Sequence, residues 1–115
     1  MARSSVPMTT AKKAGKHDSL MPLLAAMFRE FQDLAKKKPD AALNKSKVAI
    51  VNRLLKDVFE ILDGEDSRGY LDLLNEDDLP QYSDVVIILG QARAAMEAFH
   101  GKYHGGSDRG YGWGV

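Results

Sequence analysis

"DVVIIL", residues Asp84 to Leu89, is the stretch on which the fold class turns. Five branched apolar residues in a row have no clear period, so taken alone they fit a buried strand as well as a helix. The residues that follow favour the helix. Val85, Ile88, Ala92, Ala95 and Phe99 recur at helical spacing, and Leu89, Met96 and Tyr103 widen the same stripe. No other segment reads as a strand, and a lone strand has no sheet to join. A helix capped by Ser83 or Asp84 and running to about Tyr103 is therefore expected.

Two further helices precede it. Asp18-Ser19 offers an N-cap, and Pro22 would fall in the first turn, where a missing N–H does no harm. Leu20, Leu24, Met27, Phe31 and Leu34 then alternate at spacings of four and three up to Lys36, Lys37, Lys38 and Pro39. The second helix has candidate caps at Asp40, Asn44 and Ser46, a stripe of Val48, Val51, Leu55, Val58 and Leu62, and Gly64 as its stop. "SRGYLDLLNEDDLPQY", residues 67–82, predicts one or two short helical turns ending before Pro80. The fold class expected is all-α: a small antiparallel helical bundle of three long helices and a short one, with the helices connected by short linkers.

The ends lack such periodicity. Residues 1–17 hold Arg3, Lys12, Lys13 and Lys16 with no acid, and predict a flexible basic arm. Residues 105–115, rich in glycine and carrying Tyr111 and the sole tryptophan, Trp113, predict a flexible tail. The bundle domain would then span 18–104. With 16 basic and 16 acidic residues the net charge is zero, but nine acids lie between Glu60 and Asp84 against Arg68 alone. That imbalance fits a solvated connection, or a surface that steers a basic partner.

Composition removes whole classes of chemistry. There is no cysteine, which excludes disulfides, thiolate catalysis and cysteine-ligated zinc. No run of apolar residues is long enough to span a membrane, and the N-terminus lacks the apolar region of a secretory signal, so a cytoplasmic location is expected. Nucleophile-elbow, phosphate-loop and dinucleotide motifs are absent. "DGEDSRGYLDLL" starts like a calcium loop at Asp63. It then places Arg68 where glycine is required and Leu74 where the bidentate glutamate belongs.

The third helix carries the remaining candidates. At about 100° per residue, Arg93, Glu97, His100 and His104 fall on one stripe at the edge of the core. Val86 continues that edge, and Ile87 points where solvent ought to be. The first two turns are apolar nearly all round, so either "YLDLL" or a second copy of the chain must cover them. Arg93-x6-His100 resembles the R-x4-6-H pattern of HEPN-type ribonucleases, in which arginine stabilises phosphate charge and histidine handles the proton at a dimer cleft. The resemblance covers those two residues only, and Ala94 stands where the family often has a polar residue. Glu97-x-x-His100, with His104 beyond, has the spacing of a carboxylate-bridged metal motif, but one motif of the two required is present and Gly101 interrupts it. No metal or other cofactor is therefore expected. In the tail, Arg109, Tyr111 and Trp113 could contact nucleic acid, although a neutral chain lacks the electrostatic footprint. Trp113 is better suited to anchor in a protein groove.

The function these residues predict is a non-catalytic protein-interaction or regulatory helical module of a bacterial kind. It would be homodimeric, with Val86, Ile87 and Trp113 at interfaces and another protein as a further partner. The alternative is the HEPN-like, metal-independent ribonuclease, with Arg93 and His100 as its catalytic pair.

Overall fold

In the computed structural model, which describes residues 7–107 and 110–115, "DVVIIL" is helical. Three helices carry the chain: α1 (Ala11–Lys37), α2 (Lys45–Ile61) and α3 (Tyr82–Tyr103). A 3-10 turn, Asp66–Tyr70, follows α2, and two short strands, β1 (His104–Ser107) and β2 (Gly110–Trp113), follow α3. The protein is thus mostly helical with one small antiparallel hairpin, and the described part of the Gly-rich tail has regular structure.

α1 starts earlier than its apolar stripe suggested. Thr10 is the N-cap, its side chain accepting from the Lys13 N–H at 3.1 Å, so residues 11–17 of the expected arm are its first two turns. Residues 1–6, with Arg3, lie outside the described residues. Pro22 therefore stands inside the helix and not in its first turn. α2 uses Asn44, which accepts from Lys47 N–H at 2.9 Å, and Gly64 takes the left-handed turn beyond it at φ 85°. α3 begins one residue before its expected caps: Asp84 reaches back to the Gln81 N–H at 3.0 Å.

The contacts define how the ends meet. Near the start of α1, Lys13 bonds the Asp63 carbonyl and Lys16 pairs with Glu60, just past and at the end of α2. His17 in the same stretch reaches the Met96 carbonyl of α3. At the other end of α1, Phe31 stacks edge-on with Tyr82 at 6.0 Å. Leu43 N–H donates to Pro80 and Tyr82 N–H to Ala41, clamping the two loops there. Residues 62–81 accordingly run back along the molecule from the end of α2 to the start of α3, and of the one or two short helical turns expected there the 3-10 turn Asp66–Tyr70 is present. Two hydrogen bonds fasten that return segment to α2. Asn52 Nδ2 donates to the Leu74 carbonyl at 3.0 Å, and the Leu74 N–H donates to Asn52 Oδ1 at 2.8 Å, with Asn52 buried.

One apolar core joins the elements. It takes Leu20, Leu24 and Phe31 from α1, Val48, Val51, Leu55, Val58 and Ile61 from α2, and Val85, Leu89, Ala92, Met96 and Phe99 from α3. α1 lies close on α3 at Gly90, where an added Cβ would come within 3.2 Å of Phe28. Leu71 and Leu74 close the core from the return segment, yet Ile87 stays 60% exposed. Among the described residues, no helix is long and apolar enough to cross a membrane.

Candidate functional site

All three histidines and the only tryptophan of the chain meet at the end of the molecule where α1 begins and α3 stops. His17 is brought by the second turn of α1, His100 by the last turn of α3, His104 by β1 and Trp113 by β2. The imidazoles form a stack, with ring centres 5.5 Å apart for His17 and His100 and 4.3 Å for His100 and His104. Trp113 stands edge-on to all three, at 5.0, 5.1 and 5.3 Å. Phe99 floors the cluster, 5.8 Å from both His17 and Trp113.

The hairpin reaches this position because its register sets His104 directly opposite Trp113. Its last residues are tied on both sides. Gly114 N–H donates to the Tyr103 carbonyl, and the Gly114 carbonyl accepts from Thr9 N–H, each at 2.6 Å. The Trp113 indole N–H donates to Asp18 Oδ2 at 2.9 Å. Below it, Tyr103 OH donates to Glu65 at 2.7 Å, and Lys102 pairs with the same carboxylate at 3.1 Å. Burial pushes the Glu65 carboxyl up, but the hydrogen bonds from Tyr103 and Lys102 outweigh it and hold the group below its ordinary range.

His17 is buried, and its partners settle its tautomer. Nε2 lies 2.9 Å from the Met96 carbonyl, which can only accept, so Nε2 carries the hydrogen. Nδ1 has no hydrogen-bond partner, and Asp18 Oδ1 stands 3.6 Å away. His100 titrates below the ordinary imidazole range. Burial is the main cause, the charges of His104 and His17 add to it, and Asp18 opposes it.

Beside the stack a groove of about 470 Å³ is lined by His17, Asp18, Met21, Pro22, Glu97 and His100. The polar stripe of α3 thus divides in two. Arg93 bonds Glu97 through Nε at 3.0 Å and sits over Phe28, 5.7 Å from the ring centre, whereas His100 belongs to the stack. Stacked imidazoles turn their faces to each other and not their lone pairs toward a common point. Among the described residues, no group of three or more His, Asp or Glu is placed to hold a metal ion.

Of the expected interface residues, Ile87 is largely exposed, Val86 is half-buried, and Trp113 is seated on its own chain. Arg109 lies outside the described residues, and Tyr111 is described through its backbone alone. His17 and Asp18 were missed because they fell in or beside the expected arm. The signal was present: Ala14 and His17 continue the stripe of Leu20 and Leu24 at helical spacing, and both are buried. No protein-family model, curated protein or solved structure matches the chain.

Proposed function

We propose that the chain is a non-catalytic protein-interaction or regulatory module that works as a homodimer, its helices completing an antiparallel bundle with those of a second copy. The observation that supports this most is Ile87. It stands 60% exposed beside half-buried Val86 on α3, and the return segment that could have covered it is fastened to α2 instead. Leu23 and Ile50, 61% and 50% exposed, add apolar surface on α1 and α2. Leu23 and Ile50 line one groove between α1 and α2, and contiguous exposed apolar surface is what gains from association. Ile87→Asp tests the proposal. Light scattering is expected to give half the mass of the unmodified protein, with the helical signal kept. An unchanged mass would place the interface elsewhere.

One observation favours the ribonuclease as a second reading: His100 lies at the edge of a groove, and burial lowers its affinity for a proton below that of an ordinary imidazole, which favours the proton-accepting form. Against it, Arg93 is engaged by Glu97. Incubation with single-stranded RNA separates the two. Cleavage that disappears in both Arg93→Ala and His100→Ala supports the enzyme, and an intact substrate excludes it.

A further inference from the structure

We propose that the C-terminal hairpin is an acid-released latch, docked over Phe99 while the histidine stack is uncharged and detached from the α1/α3 end when the stack takes up a proton. The inference concerns the hairpin alone and does not depend on dimer formation.

The latch is weakly built by itself. Two four-residue strands with glycine at 105, 106, 110 and 112 have little intrinsic stability, and an isolated two-stranded hairpin is marginal in water. Among the described residues its docking includes the two Gly114 backbone bonds, the Trp113–Asp18 hydrogen bond and the packing of Trp113 on the rings. Short elements at a chain end lie toward the low end of local stability, where a modest free-energy change alters the population.

The docking surface is also titratable in the pH range where imidazole changes charge. His17 and Asp18 face the stack from α1, His100 and Glu97 come from α3, and His104 from β1. Glu97 is occupied by Arg93, and Glu65 by Tyr103 and Lys102. Asp18 is the acid that acts on His100, and one of its oxygens is committed to Trp113. With ring centres 4.3 Å apart, His100 and His104 cannot both hold a charge without strong repulsion.

The direction follows from linkage. Docked His100 binds its proton less readily than an exposed imidazole, whose ordinary value is about 6.5. The contribution of neutral His100 to docking is therefore fully present above that value and declines as pH falls from it through the lower docked value. Release linked to one proton changes the undocked-to-docked ratio by at most about tenfold per pH unit.

Trp113, the only tryptophan, reports the event in the full-length protein. Its emission, acrylamide quenching, the far-UV circular dichroism and the scattered mass are followed together from about pH 8 to about pH 5. The expected result is a red shift and stronger quenching centred below about pH 6.5, with helix content and mass retained. His100→Gln should flatten the response. Should that variant not fold at neutral pH, the His100 ring and Trp113 indole proton resonances of the unmodified protein are expected to titrate together. A tryptophan signal that stays constant, or that changes only as helix is lost, overturns the latch. So does a signal that tightens on acidification through cation–π attraction, a full response in His100→Gln, or separate midpoints for the two resonances.

Discussion

Replacing Asn52 with alanine should be among the most damaging single substitutions in this protein, although the residue touches no candidate site. Asn52 is 3% exposed, Leu74 is 4% exposed, and the two share a reciprocal pair of hydrogen bonds at 3.0 and 2.8 Å. Truncation removes both bonds and leaves a backbone N–H and C=O of Leu74 facing an apolar wall. Each orphaned group costs about 1–3 kcal/mol, so the expected loss from the two is roughly 2–6 kcal/mol. That is a large share of the roughly 5–15 kcal/mol typical of a domain. An unfolding entropy of about 2.1 cal/mol/K per residue makes each kcal/mol worth roughly 4 °C in a chain of this length, so the midpoint should drop by about 8–24 °C. Urea and thermal unfolding at one fixed protein concentration measure the loss, and amide exchange at Leu74 locates it. Asn52→Asp is the control. It keeps the acceptor for the Leu74 N–H but turns a carboxylate oxygen toward the Leu74 carbonyl. Its defect should shrink on acidification, when a protonated carboxyl can donate again. A cost for Asn52→Ala below about 0.5 kcal/mol, the range of surface substitutions, would refute the reasoning. An unaltered Leu74 exchange rate would do the same.

Other outcomes follow from the same contacts. Tyr103→Phe removes a hydrogen bond to a carboxylate and should cost about 1.5–3 kcal/mol near neutral pH. Because Glu65 is held below its ordinary range, that stabilisation is present above about pH 4.3 and is lost as pH falls through the lower folded value; a pH series of urea melts on both proteins reads the difference. Gly101→Ala, in the last turns of α3 with open space around the new methyl, should stabilise by about 0.5–1 kcal/mol, detectable as a raised midpoint. Arg93→Ala loses an exposed pair one helical turn apart and should change stability by no more than about 0.5 kcal/mol in the same melts.

The helices were legible in the sequence because their apolar residues repeat at helical spacing over several turns. Val48, Val51, Leu55 and Val58 are all buried, and so are Val85, Leu89, Ala92, Met96 and Phe99. The strand-like look of "DVVIIL" gave way to the longer period into which it runs. What escaped depends on long-range contacts. Asn52 sits within an apolar stripe, and only its bonds to Leu74, 22 positions along the chain, show why a polar residue is tolerated there. Ala14 and His17 were hidden by the lysines and glycine around them. The hairpin strands carry glycine and little apolar pattern, and one of the bonds that seats them, Trp113 to Asp18, spans 95 positions. His100 lies in the last turn of α3, whereas His104, expected on the same helical face, is extended and begins β1. Their true neighbours were not Arg93 and Glu97 but His17 and Trp113, which local periodicity cannot bring together.

Sedimentation equilibrium of the unmodified, full-length protein at neutral pH tests the proposed function most directly. A homodimeric module that covers Ile87 with a second copy predicts a mass twice that of one chain, falling toward the single-chain value only on dilution. A single-chain mass that persists at high concentration, with helix content intact, would contradict it.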